Sequence, residues 1–404
     1  MSGNAQRTPV RSTVRRKLQQ DALVDDGETP RAPQYQSSMG PFSALPPSSP
    51  GPSQSSRSSA FSTDSQSAKK RKREVSPTKQ VDDAQYHKWA IVQKTVENIQ
   101  KDVDPAIREV VRQIQRIKHG KGIIHHAHAT DELKQAVGTG DEELDKDIFT
   151  KTGDRRGDPP PIARMDRIKQ RSTICAAASA SEPDWNNSVH CFVLEESCLS
   201  SGLASHVTTT ATIEPGLLPE LTADNNGVQS RKVDFCIVLQ LSRYSNVGQA
   251  ATLQNINFFN QTKYGPIRFK PITVSIETKL PVEGGAKALV QLETWAQAQI
   301  QRLENLHSWV GDPWLVHMPL PLIAVHGDVW KLYYMQQNRD GHGGTMWDCG
   351  EFGSTKTLLG TYQVVAGLQA LMQWSVEVYQ PWFEDNILRR FVKLRTDGQE
   401  DAGG

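Results

Sequence analysis

The stretch Ile272-Thr-Val-Ser-Ile-Glu-Thr-Lys-Leu280 alternates apolar and polar side chains at every second position. A β-strand is the regular structure with that period. Ile272, Val274 and Ile276 make a β-branched apolar face suited to a core, and Thr273, Ser275, Glu277 and Lys279 make the other. Glu277 and Lys279 therefore project side by side, roughly 6–7 Å apart along the strand. Such a pair suits an ordinary ion pair, or a site that binds a metal and activates a water. The strand alone leaves both readings open.

The rest of the chain divides by composition. Residues 1–83 of the 404 are rich in Ser, Pro, Gln and Arg and poor in aromatics. They cannot bury enough apolar surface to offset the entropy of ordering, so a disordered tail is expected. Inside it, Lys69, Lys70, Arg71, Lys72 and Arg73 form a dense run of cations of the nuclear-import type. The run implies an import receptor as partner and a nuclear location reached from the cytoplasm. Residues 84–145 are expected to be a helical segment, with Trp89, Val92, Val96 and Ile99 on one helix and Ile107, Val110, Val111, Ile114 and Ile117 on a second that begins at Asp104-Pro105. Residues 146–392 read as one compact α/β domain, and 393–404 as a frayed tail.

Net charge is +1, so no global basic field points to a nucleic-acid partner; local patches have to carry that argument. The five cysteines include no CxxC pair, which argues against a zinc site or a disulfide framework. No apolar run approaches the length of a membrane span, and the first residues lack the apolar segment of a secretory signal. His125, His126 and His128 have no carboxylate or cysteine at ligand spacing, which favours a solvated helix surface over a metal site.

In the α/β region, Trp185 to Leu199 reads as a helix capped at Asn187 or Ser188, and Lys232 to Leu241 as an apolar strand containing the single acid Asp234. A buried acid is costly unless paired or bound to a metal, whereas just outside the core it can cap a turn. A helix is expected from Ala286 to Leu306, and two strands flank the turn at Gly327-Asp328. A last long helix, or two, is expected from Ser354 to Phe383, with Pro381 as its stop. Lys263, Arg268 and Lys270, interleaved with Tyr264 and Phe269, suit backbone contact and base stacking on nucleic acid as well as they suit a solvated loop. Arg164, Arg167, Lys169 and Arg171 form a second basic run, expected before the domain's first helix.

Taken in order, Asn187-Ser-Val-His190 with Val193-Leu-Glu195, Val233-Asp-Phe-Cys-Ile-Val238, Val274-Ser-Ile-Glu-Thr-Lys279 and Gln291-x-x-x-Trp295 resemble the PD-(D/E)XK nuclease-like domain of fungal proteins. Phe352-Gly-Ser-Thr, Tyr362 to Gln369 and Val378 to Phe383 are similar to its C-terminal segments, so the resemblance spans about 140–392. It implies a restriction-endonuclease-like fold, with a central mixed sheet flanked by helices. It also implies a Mg²⁺- or Mn²⁺-dependent nuclease acting on DNA rather than RNA, or a catalytically silent nucleic-acid-binding or scaffold protein on the same fold. The active site it implies falls on Asp234, Glu277 and Lys279, with Glu195, or in competition Glu196, as a helix acid. Asp234, Glu277 and Glu195 would hold the metal, and Lys279 would orient and help deprotonate the water. Gln291 matches a glutamine of some exonuclease branches, with Trp295 where a tyrosine is usual.

Ser76-Pro77 adjoins the basic run, and phosphorylation there would offset its charge. Ser76→Asp is expected to lower the nuclear-to-cytoplasmic ratio of a fluorescent fusion; an unchanged ratio refutes that regulatory role.

Overall fold

The computed structural model describes residues 89–138, 142–150, 159–199, 201–218, 232–240, 256–282, 285–308 and 314–389. The expected disordered tail and the expected C-terminal tail lie outside the described residues. So do Ser76 and the whole import-type run, Lys69, Lys70, Arg71, Lys72 and Arg73. In chain order the elements are β1 (Ala90–Thr95), α1 (Ile99–Asp102), α2 (Pro105–Lys118), β2 (Ile124–His125), α3 (Asp131–Val137), α4 (Glu142–Ile148), β3 (Phe149–Thr150), α5 (Ile162–Ala177), α6 (Glu182–Trp185), α7 (Cys191–Cys198), β4 (Leu203–Val207), β5 (Phe235–Leu239), β6 (Ile272–Lys279), α8 (Gly285–Ser308), β7 (Leu320–His326), β8 (Val329–Gln337), β9 (Gly343–Ser354), α9 (Leu358–Trp374) and α10 (Gln380–Phe383). A π-helical turn, Asn186–His190, joins α6 to α7 without a break.

Among the described residues, seven strands form one mixed sheet in the order β1-β9-β8-β7-β6-β5-β4. The pairs β1/β9 and β6/β7 are parallel and the other neighbours antiparallel. The expected α/β architecture, a mixed sheet flanked by helices, is therefore what the chain forms. The two layers can be read from β6. Ser275 Oγ accepts from Trp295 Nε1 of α8 at 3.1 Å, while Thr278 Oγ1 meets Asn186 of the α6–α7 helix at 2.9 Å. These positions are three apart on a strand, so they face opposite sides of the sheet. Both sides are covered, and all eight residues of β6 are buried.

Helix α2 forms as its pattern predicts. Asp104 caps it by accepting from Ala106 N–H at 2.8 Å, Pro105 opens it, and Ile107, Val110, Val111, Ile114 and Ile117 are buried. The helix expected around Trp89 to Val96 is instead strand β1. Its three-to-four spacing gave way to main-chain pairing with β9, which a distant part of the chain supplies. Glycines in β9 admit that approach: a Cβ on Gly344 would come within 2.6 Å of the Trp89 ring.

Three further boundaries differ from the sequence pattern. The helix expected at Trp185 starts at Glu182, where Asp184 Oδ2 accepts from the Ser181 hydroxyl at 2.6 Å and from its N–H at 3.2 Å. Pro381 does not end the last helix. A π-helical turn at Ser375–Tyr379 precedes it, Pro381 stands in the first turn of α10, and a second π-helical turn, Glu384–Leu388, follows. The basic run Arg164 to Arg171 lies within α5, not before the first helix. The three histidines sit on and before a 3₁₀ turn, with ring centroids of His126 and His128 6.3 and 6.1 Å from that of His125. All five cysteines are free thiols. Among the described residues no helix is long and apolar enough to cross a membrane.

His190 shows how firmly the α6–α7 helix is set against the sheet. Fully buried, it stacks on Trp185 (5.8 Å between centroids, 20° interplanar) and meets Trp330 edge-on at 5.7 Å. Burial pushes its pKa from 6.5 down to about 4. Unfolded chains then bind a proton that the folded chain refuses, so this group's contribution is intact above pH 6.5 and is lost as pH falls toward 4. Urea midpoints measured from pH 7 to 4 should show a loss of about 3 kcal/mol from this group, absent in His190→Gln. Identical pH slopes in both proteins would exclude it.

Candidate active site

Asp234 stands one residue before β5, and the antiparallel register Phe235↔Ile276 brings it beside Glu277. Its main chain is held on both sides, by Asp234 N–H to Ile276 O (3.0 Å) and by Thr208 N–H to Asp234 O (2.8 Å). Asp234 Oδ2 accepts from Thr278 N–H at 2.9 Å and from the Thr278 hydroxyl at 2.7 Å. Among the described residues, the hydrogen bonds to the Asp234 carboxylate fall on Oδ2 alone.

Glu277 and Lys279 form a buried ion pair, 1% and 5% exposed. The Lys279 ammonium donates to Glu277 Oε1 and, at 2.6 Å, to Thr278 O. It also reaches Glu182 Oε2, on the first turn of α6, at 3.4 Å. Burial, then the charge of Asp234, raises the Glu277 carboxyl well above the usual range, against the pull of Lys279. Burial works to lower the Lys279 pKa, but Glu277, Glu182 and Asp234 together outweigh it, and the group stands above its ordinary value. Lys279 thus touches two carboxyl groups, those of Glu277 and Glu182, and feels the charge of a third, Asp234.

That donor set is made of hard oxygens, which suit a divalent cation of the Mg²⁺ type. Among the described residues, no three His, Cys, Asp or Glu side chains are gathered closely enough to cage an ion themselves. The arrangement fits an ion held by one or two carboxylates, with water and substrate oxygens completing its shell.

Glu195 does not join this group. It is exposed on α7, where its charge is felt by Cys191. Glu196 is buried and paired with Arg164 at 2.9 Å, and its second oxygen has no partner among the described residues. The helix acid in contact with Lys279 is Glu182, which the sequence pattern does not single out; Ser181 followed by acids and Pro183 marks a helix start, but nothing in the spacing ties it to β6. His326, also not foreseen, is paired in register with Lys279, and its buried Nε2 has no partner among the described residues. Gln291 donates to Lys232 O at 3.2 Å, bracing the segment that leads to Asp234, and its Oε1 is buried without a partner among the described residues.

The basic loop is engaged with itself and its neighbours. Lys263 pairs with Glu214 at 2.5 Å and lies 5.1 Å over the Phe258 ring. Arg268 donates to Asn257 O and lies 4.7 Å from the Phe269 ring centroid. Lys270 Nζ is 3.2 Å from His206 Nε2.

Removing one partner of a buried pair strands the other charge. Lys279→Met is expected to cost about 3 kcal/mol, and the double variant Glu277→Gln/Lys279→Met distinctly less, both read from urea denaturation. If the double variant loses as much as the single one, or more, the pair is not coupled in the way described.

A family model described as the PD-(D/E)XK nuclease superfamily matches residues 132–380, a span that contains Glu182, Asp234, Glu277 and Lys279. No curated protein and no solved structure matches the chain. Over most of its length, and with an acid before β5 and Glu-Thr-Lys at the end of β6, the chain belongs to the PD-(D/E)XK nuclease superfamily.

Proposed function

We propose that this chain is a divalent-metal-dependent nuclease that hydrolyses phosphodiester bonds. The observation that carries the reading is the placement of Asp234 beside Glu277, whose ion pair with Lys279 is joined by Glu182. Asp234 and Glu277 would hold the ion, with Glu182 the nearest further carboxylate. When bound, a divalent ion supplies Lewis acidity toward the phosphate and lowers the pKa of water. The chain's own groups do the remainder. The backbone bonds of Asp234 keep its carboxylate at the start of β5. The Lys279 ammonium, held protonated by its carboxylates, donates toward the attacking water and toward charge growing on the phosphate oxygens. It is thus better suited to orient that water than to take its proton.

DNA is the polymer we infer, because the import-type run Lys69, Lys70, Arg71, Lys72 and Arg73 would bring the chain into the nucleus through an import receptor. Lys263, Arg268 and Lys270 would contact the DNA backbone, by exchanging their present partners for phosphates. A second reading has its own support. One oxygen each of Asp234 and Glu277 is already taken by a protein donor, and three ligands are not gathered among the described residues. Such a site would serve a protein that binds nucleic acid, or acts as a scaffold, without turnover.

Incubation of the purified chain with single- and double-stranded DNA and RNA, with Mg²⁺, Mn²⁺ or chelator, decides between them. Metal-dependent cleavage is expected, with Asp234→Asn and Lys279→Ala reducing it by a factor on the order of 10². No cleavage and no metal uptake by calorimetry would establish the silent reading, and full activity in Lys279→Ala would remove Lys279 from the mechanism.

A further inference from the structure

Behind Asp234 runs a closed chain of polar groups that the hydrolytic roles do not use. Thr278 Oγ1 is 2.7 Å from Asp234 Oδ2 and 2.9 Å from the Asn186 side-chain amide. The same end of that amide is 2.8 Å from His190 Nδ1. His190 Nε2 is 2.8 Å from Gly327 O, and Gly327 N–H donates to Lys279 O at 2.9 Å. Thr278 and His190 are fully buried and Asn186 nearly so. The network therefore grips the Glu277-Thr278-Lys279 tripeptide at two points, the Thr278 side chain and the Lys279 carbonyl.

Counting protons gives the network one direction. The Gly327 carbonyl and the Asp234 carboxylate only accept. A neutral imidazole has one N–H; facing Gly327 O it must be on Nε2, which leaves Nδ1 an acceptor. Thr278 has one hydroxyl hydrogen, and it goes to the carboxylate. Asn186 then has to present its NH₂ to both His190 Nδ1 and Thr278 Oγ1, an orientation that differs from the reverse only by a half-turn of the amide. Every close contact is then donor to acceptor. The burial of His190 between Trp185 and Trp330, which holds its pKa at about 4, keeps the ring neutral and so keeps this order.

We infer that Asn186, His190 and Thr278 are positioning residues for Asp234, acting through a hydrogen-bond chain of fixed polarity that pins Oδ2 and leaves Oδ1 for a cation. The cation part rests on the nuclease reading; the polarity of the chain does not. Asn186 and His190 share one face of the π-helical turn, so a single rigid element presents both groups. Among the described residues, the side-chain hydroxyl of Thr278 alone links that element to the Asp234 carboxylate.

The test uses the full chain and Mn²⁺. Thr278→Val, which keeps the shape and deletes the hydroxyl, should weaken Mn²⁺ binding in calorimetry by about tenfold or more, and Thr278→Ser should recover it. Independently, ¹⁵N-resolved NMR of the wild-type histidines at pH 7 should show His190 as the neutral Nε2–H tautomer. Unchanged Mn²⁺ affinity in Thr278→Val overturns the positioning role. An Nδ1–H or doubly protonated His190 overturns the polarity, and needs no variant to fold. If the wild-type chain neither binds Mn²⁺ nor cleaves, the nuclease reading fails on that result, and the hydrogen-bond chain then stands or falls on the His190 tautomer alone.

Discussion

Strand β6 carries a carboxylate and an ammonium out of water on the same face, and the rest of the structure is arranged to make that possible. Desolvating either group alone costs several kcal/mol, so each needs the other and needs further donors or acceptors. Lys279 finds Glu277, the Thr278 carbonyl and Glu182. Glu277 sits beside Asp234, whose own charge raises the difficulty. A strand whose eight residues are all buried could hold such a pair only with helices on both faces.

Those helices are specific in what they touch. From one side, α8 sets Trp295 on Ser275 and lets Gln291 brace the approach to Asp234. From the other, the α6–α7 helix places Glu182 at Lys279 and Asn186 at Thr278. Its π-helical turn puts Asn186 and His190 on one face, and the rings of Trp185 and Trp330 hold the imidazole between them. The site is thus a product of packing as much as of the strand that carries the acid and the lysine.

Some of this was legible in the residues. The period of two in Ile272 to Lys279 marks the strand and the shared face of Glu277 and Lys279; the cap and apolar rhythm of Asp104 to Ile117 mark α2. Both are local patterns with strong physical causes. Strand β9 was not visible, because Gly343-Gly-Thr-Met-Trp-Asp-Cys-Gly has no clean alternation and draws its stability from β1 and β8 on either side. Strand β1 reads locally as a helix for the same reason: its partner lies about 250 residues away in sequence.

From the residues alone comes an inventory: an acid before an apolar strand, Glu-Thr-Lys on the next, and an ordered set of motifs sufficient to suggest the superfamily. Which acid of the helical layer meets the lysine is a matter of packing. Glu195, Glu196 and Glu182 are alike as residue types, and only the seating of α6–α7 on the sheet sends the first to solvent, the second to Arg164 and the third to Lys279. Contacts between elements depend on how faces fit in space, and a one-dimensional pattern carries the periodicity of a face without the identity of what will cover it.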